Sequence, residues 1–208
     1  MIDFYAARTP NGRKIAIMLE ECAARYETRL IDLGRGEQFE PAFTAINPNA
    51  KIPAIVDRDG AASVVVFESA AILIYLAEKF GRLLPVEAPA RAACMSWTVW
   101  QAANVGPMFG QAHHFTSRAP ETCPHAIERF AAESARLLHV MERRLGEARF
   151  LAGDYSIADI AVFPWIRAAL DPMASARPDL VGDTPNIRRW FAEVGARPAV
   201  QRGIAFGA

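Results

Sequence analysis

Hydrophobic and polar positions change their rhythm once along this chain, near residue 81. Before that point short strand-like runs alternate with helical spacing. Ile2-Asp3-Phe4-Tyr5 reads as a strand and Thr9-Pro10-Asn11-Gly12 as a turn. Residues 13–24 then place Ile15, Met18, Leu19 and Cys22 on one helical face. Residues 28–33 alternate as a second strand, and residues 39–46 fit a short helix. Two further strands, around 54–57 and 63–67, flank the turn Asp59-Gly60, and an apolar helix over 70–79 closes the unit. The expected order is β-α-β-α-β-β-α.

After residue 81 the strand period vanishes. Residues 82–89, with two prolines, read as a linker, and everything from 90 to 208 reads as helix. Residues 91–115 are apolar, with Trp97 and Trp100 at helical spacing. Gly106-Pro107 interrupts them and predicts a kink, because proline removes one hydrogen bond and crowds the preceding turn. Residues 124–145 carry a one-sided face of Ile127, Phe130, Leu137, Leu138, Met141 and Leu145, with Pro124 in the first turn and Gly146 past the end. Residues 156–170 are apolar nearly all round and predict a buried helix, opened by a Ser156/Asp159 capping box. A last helix is expected over 184–195.

Composition narrows the function classes. Of 208 residues 52% are hydrophobic, enough for a sizeable core, and Lys+Arg balance Asp+Glu at 23 each. There is no basic stripe for nucleic acid and no polybasic cluster for an anionic membrane. No apolar run approaches the length of a bilayer span, and no basic leader precedes an apolar core at the start. Cys22, Cys94 and Cys123 are odd in number and form no CxxC, which points to a reducing, cytoplasmic setting without a disulfide framework or zinc site. His113 and His114 are adjacent, and neighbouring helical residues point about 100° apart, so they converge poorly on one metal ion. No metal is expected.

The candidate chemistry lies where the third strand begins. Pro53 has no N–H, and a proline there can turn the backbone of Ile52 outward, leaving one donor and one acceptor for an added peptide strand. Fifteen residues after Pro53, Glu68-Ser69 precedes the apolar helix. Ser69 is the expected N-cap, and the free N–H groups of that helix end favour a carboxylate. The pair describes a receptor for a small peptide with a free acid.

The element order, with a proline opening the third strand, resembles a thioredoxin-like domain. Thr9-Pro10-Asn11-Gly12-Arg13-Lys14, Lys51-Ile52-Pro53-Ala54-Ile55, Phe67-Glu68-Ser69 and Ser156-Ile157-Ala158-Asp159 resemble the cytosolic glutathione transferase superfamily. Gly106-Pro107-Met108, Gly110-Gln111 and His113-His114-Phe115 are similar to its Nu-class, disulfide-bond oxidoreductase branch. The implied fold is an N-terminal thioredoxin-like α/β domain (1–81) followed by an all-α helical-bundle domain (90–208). The resemblance implies glutathione as co-substrate. Ile52 and Pro53 would meet its cysteinyl backbone, Glu68 the γ-glutamyl amine, and Ser69 the γ-glutamyl carboxylate. Gln38 would meet the glycyl end or the backbone, and Arg129, with Lys51 as a weaker candidate, a glutathione carboxylate, within its own subunit or across a dimer interface. Arg13 departs from the histidine often found at its position.

Thiol oxidoreductases of this fold carry a cysteine where Thr9-Pro10-Asn11 stands, and none is here. A glutathione thiol would serve instead, with Asn11 as its main contact, Thr9 second and Tyr5 a possible substitute. A second, drier pocket between the domains is expected, with Met108, Phe109, His113 and Phe115 as lining. The expected enzyme reduces small disulfides. Conjugation of glutathione to electrophiles is the alternative reaction, and a non-catalytic glutathione-binding role is a third reading. A homodimer is implied, with no nucleic-acid or membrane partner.

Overall fold

The computed structural model describes residues 1–207. It divides into two compact units: Met1–Leu84 together with the chain from Ala196 onward, and Pro85–Gly195.

In the first unit β1 (Ile2–Ala6) leads into α1 (Pro10–Glu21), which returns the chain to β2 (Tyr26–Leu30) parallel to β1. A parallel pair needs such a crossover. The second strand thus begins two residues before its expected start, and α1 begins three residues before its own. Thr9 caps α1 by accepting from Gly12 N–H at 3.2 Å, so the expected turn is in fact the first turn of the helix. Gly12 is required there, since a Cβ would come within 2.2 Å of the Ala7 carbonyl oxygen. The expected helix over 39–46 is split into a 3₁₀ turn, Glu37–Phe39, and the short α2 (Pro41–Thr44). Pro41 occupies the first turn of α2, where its nitrogen has no proton to donate to an earlier carbonyl.

The hairpin of β3 (Ala54–Asp57) and β4 (Val64–Phe67) completes a mixed sheet of order β2-β1-β3-β4. α3 (Ser69–Phe80) follows and packs beside α1. Phe4, Ile15, Ile17, Leu19, Ile55 and Ile72 are fully buried in this unit. Burying side chains of this size contributes roughly 1.5–3 kcal/mol each before entropy is counted.

The second unit is helical throughout, as expected. α4 (Ala88–Trp100) runs through one wide π-helical turn, Gln101–Val105, into α5 (Gly106–Ser117). Pro107 cannot donate into the preceding turn, and Gly106 N–H reaches back five residues to the Gln101 carbonyl. The expected kink therefore takes the form of a loosened turn. α6 (Pro124–Glu147) includes Gly146 rather than ending before it. α7 (Ile157–Ala176) is the buried helix, with every residue from Ile157 to Pro164 buried, and it runs six residues past its expected end. The short α8 (Pro178–Val181) and α9 (Pro185–Gly195) finish this unit.

The tail then departs from expectation. α10 (Pro198–Ile204) belongs with the first unit, not with the helical domain to which residues 196–208 were assigned. A Cβ on Gly203 would lie 2.5 Å from the Ile17 backbone, so the glycine lets α10 press directly on α1. Arg197 and Arg202 clamp the same helix through Glu21 and Glu20, at 2.7 and 2.6 Å. No single-sided sequence pattern announces this, because the contact relies on a missing side chain and two ion pairs.

Candidate functional site

Strand register gathers the expected residues of the first unit at one end of the sheet, where β1, β3 and β4 stop or start. Tyr5 pairs with Ala54, and Ala54 with Phe67, so the end of β1, the start of β3 and the end of β4 lie side by side. Thr9 and Asn11 follow from β1, Ile52 and Pro53 precede β3, and Glu68 and Ser69 follow β4. Both ladders of β3 stop at Ala54, and the Ile52–Pro53 peptide is cis. Ile52 is half-buried and Lys51 exposed, its carbonyl accepting from Asn47 Nδ2 at 2.5 Å. Gln38 is half-buried in the 3₁₀ turn, and its buried Oε1 has no hydrogen-bond partner.

Asn11 is half-buried at the second position of α1. Thr9 Oγ accepts a bond from Gly12 N–H, which leaves its own O–H proton to donate elsewhere. The amides of that first turn carry the positive end of the helix dipole. A thiol brought here meets donors suited to a thiolate.

Two of the protein's own thiols, Cys22 and Cys94, are buried, and Cys123 is exposed at the N-cap of α6. Cys22 is buried at the C-terminal cap of α1, the negative end of that helix, and burial pushes its thiol up to about 11. Burial raises Cys94 as well.

The Glu68-Ser69 expectation is corrected in one respect. Ser69 is the first residue of α3, not its cap; Glu68 holds the cap position and makes no side-chain cap bond. Glu68 adopts φ 68°, a left-handed conformation that costs a non-glycine residue of order 1 kcal/mol or more. Its exposed carboxylate accepts from Asn49 Nδ2 at 3.4 Å. With capping duty removed, the buried Ser69 hydroxyl accepts instead from Lys14 Nζ at 3.1 Å.

Lys14 is the residue that pattern reasoning passed over. It is 2% exposed, and burial lowers its ammonium to about 7 against a smaller raising effect of Glu68. Its signal was present in the spacing, since Lys14 shares a face with Met18 and Cys22 four and eight residues on.

The other candidates lie in the second unit. Arg129 is exposed on α6 and lines an open groove of about 710 Å³ with Asn104, Met108, Glu133 and Arg136. Phe109 is buried, His113 is exposed, and Phe115 stacks on Phe130 with centroids 5.4 Å apart. Trp97 and Trp100 meet edge to face at 5.0 Å. Among the described residues no cluster of three or more His, Cys, Asp or Glu could hold a metal ion. No described helix is long and apolar enough to cross a membrane.

A mixed four-stranded thioredoxin-like unit with a cis-proline before β3, joined to an all-helical unit, defines the glutathione transferase fold. Residues 9–79 match the glutathione S-transferase N-terminal domain and residues 124–193 the C-terminal domain. The chain belongs to the glutathione transferase superfamily, in the branch of the disulfide-bond oxidoreductases YfcG and YghU. It is 47% identical to YfcG of Escherichia coli over 98% of this chain and 94% of that protein. It is 42% identical to YghU of the same organism, over 97% of this chain and 73% of that protein. A Burkholderia graminis glutathione transferase, solved with two glutathione molecules per subunit, superposes with a TM-score of 0.93. It is 43% identical, and the match covers 99% of this chain and 88% of that one. A Pseudomonas putida glutathione transferase, solved with one glutathione disulfide per subunit, also gives 0.93 at 39% identity, covering 100% and 92%.

Proposed function

We propose that the chain binds glutathione at the cis-proline end of the sheet in its first unit and reduces small disulfides with the ligand's thiol. The observation that carries this reading is the helix start itself. Thr9 and Asn11 stand at the positive end of α1, while the nearest protein thiol on that helix, Cys22, is buried at its negative end. The relatives named as disulfide-bond oxidoreductases, and the similar proteins solved with two glutathiones or glutathione disulfide, support it.

In this reading the glutathione thiol gives up its proton to solvent, and Asn11 and Thr9 donate hydrogen bonds to the thiolate. The thiolate attacks one sulfur of the substrate disulfide, forming a mixed disulfide and expelling the other half as a thiolate that takes a proton. A second glutathione thiolate attacks the glutathione sulfur of the mixed disulfide. Glutathione disulfide forms, the remaining substrate thiol leaves, and two electrons have passed from two glutathiones to one disulfide. Ile52, Pro53, Gln38 and Lys51 align the first ligand, Glu68 holds its amine and Ser69 its carboxylate. Arg129 pairs with a glutathione carboxylate. Exposed Phe39, Val65 and Phe67 in the first unit favour a homodimer as the working form.

A free thiol near 8.5 is only a few per cent ionised at neutral pH, and each unit of lowering is worth about 1.4 kcal/mol. Asn11→Ala should raise the thiol of bound glutathione by about one unit and slow turnover of hydroxyethyl disulfide about tenfold at pH 7. The Cys22/Cys94/Cys123→Ala triple variant should keep its turnover. Lost turnover in a folded triple variant would overturn the borrowed thiol.

Two other readings remain open to the same assays. Faster reaction with a chloronitrobenzene than with disulfides would favour conjugation. The chain also superposes on Ure2p solved in complex with glutathione, with a TM-score of 0.89 at 31% identity over 98% of this chain and 94% of that one. Tight binding without turnover of either substrate would favour a binding role.

A further inference from the structure

We propose that Lys14 is a positioning residue for the ligand's α-carboxylate, acting from inside the protein through the Ser69 hydroxyl; this rests on the glutathione reading above. Three observations meet at this point. Lys14 Nζ donates to Ser69 Oγ at 3.1 Å, in a place 2% exposed. Ser69 is the first residue of the twelve-residue α3, and its side chain does not serve as the helix cap. Glu68, which takes the cap position, does so in a left-handed backbone that turns the chain into α3 without using either side chain as a cap.

The hydrogen-bond inventory gives the consequence. A hydroxyl has one proton and two acceptor positions. In its charged form Lys14 can only donate, so it occupies an acceptor position on Ser69 and frees the serine proton to donate to a group at the start of α3. Behind it stands a cation, within about 6 Å of any carboxylate bound to that hydroxyl by an ordinary hydrogen bond. Opposite charges at this distance stabilise one another, most of all where water is excluded. The lysine thus reads the carboxylate without touching it, and a ligand lacking that group gains nothing from it.

The linkage is reciprocal. Burial holds the Lys14 ammonium near 7, so close to neutrality the free protein carries it only partly protonated. A bound carboxylate favours the charged form, and binding takes up a proton. On the β4–α3 turn Glu68 faces Lys14 and already raises it. On its own helix Arg13 adjoins it, and Glu20 and Glu21 are paired with Arg202 and Arg197 of α10 at the far end. At the other end of α3, Lys79 is paired with Asp57 and Asp59. In β1, Asp3 is paired with Arg58.

The test uses the full chain and S-methylglutathione, which has no thiol to titrate. Calorimetry in two buffers of different ionisation enthalpy should show uptake of more than half a proton per ligand at pH 8. An analogue with a γ-aminobutyryl group in place of γ-glutamyl, lacking only the α-carboxylate, should show much less. In Lys14→Met the uptake should disappear, S-methylglutathione should bind about tenfold more weakly at pH 6.5, and the analogue should bind as before. Identical affinities and identical pH profiles in the two proteins would overturn the role of Lys14 while leaving glutathione binding intact. If the variant does not fold, the wild-type proton count decides alone: equal uptake with ligand and analogue overturns the proposal. If the wild-type protein binds neither glutathione nor S-methylglutathione, the functional reading fails first, and the role of Lys14 fails with it.

Discussion

Two serines open two helices in this molecule, each beside a buried ionisable group, and they are used in opposite ways. Ser156 caps α7: its hydroxyl accepts from Ala158 N–H at 3.3 Å, and Asp159 accepts from Ser156 N–H at 3.1 Å. The Asp159 carboxylate also receives Leu151 N–H at 3.1 Å and the Trp190 indole at 2.8 Å. Every bond there is spent inside the fold. Ser69 opens α3 without capping it, and its hydroxyl accepts from Lys14, which leaves its own proton still to donate. The first arrangement closes a structure. The second leaves one open to a ligand.

The largest expected effect breaks the closed half. Asp159→Ala leaves three N–H donors buried without their acceptor, each costing about 1–3 kcal/mol. Unfolding free energy should fall by at least about 3 kcal/mol in denaturant titration, a large part of what a domain possesses. A loss under about 1 kcal/mol would mean that water or rearrangement replaces the carboxylate.

The serines themselves sharpen the contrast. If Ser69 holds the ligand carboxylate as proposed, Ser69→Ala removes a hydrogen bond to a charged group, worth about 1.5–3 kcal/mol, and glutathione should bind roughly 10–100-fold more weakly. Its denaturation midpoint should fall as well, because the buried Lys14 Nζ loses its acceptor on Ser69. Ser156→Ala should lower stability by about 1 kcal/mol as a lost helix cap does, but with glutathione affinity unchanged. If both variants lose stability and keep affinity, Ser69 is a structural residue and the site assignment falls.

The sequence showed these two places unequally, for a physical reason. The Ser156/Asp159 box is local: its partners are three residues apart, and the spacing alone predicts the bonds that form. The element order of the first unit was likewise legible, because alternation and helical spacing are local properties. The Lys14–Ser69 bond joins residues 55 apart, and only the packing of α1 beside α3 brings them together. The spacing of Lys14 with Met18 and Cys22 points to an inward face but not to the partner it meets there. The return of α10 to the first unit was hidden for the same reason, as it depends on Gly203 meeting Ile17 across 186 residues.

The smallest effect concerns the two buried charges and their opposite answers to pH. Burial raises the Asp159 carboxyl to about 6, so the folded state holds that proton more tightly than the unfolded chain. Stability from that group is present below about 4 and is lost as pH rises toward 6. Lys14 has the other sign. The unfolded chain keeps its lysine proton up to about 10.5, while the folded state releases it near 7. Between those values the unfolded state binds more protons, so stability rises with pH. Below 7 both states are protonated, and the full cost of a buried ammonium remains. One site can contribute at most about 1.4 kcal/mol per pH unit, so from pH 7.5 to 8.5 the wild-type protein should gain about 1 kcal/mol relative to Lys14→Met. At pH 6 the variant should be the more stable of the two, because methionine fills the same space without a charge. Parallel stability curves across that range would show that the amine is not titrating inside the fold. Ser69 would then be accepting its bond from a permanently charged lysine, and ligand binding would take up no proton there.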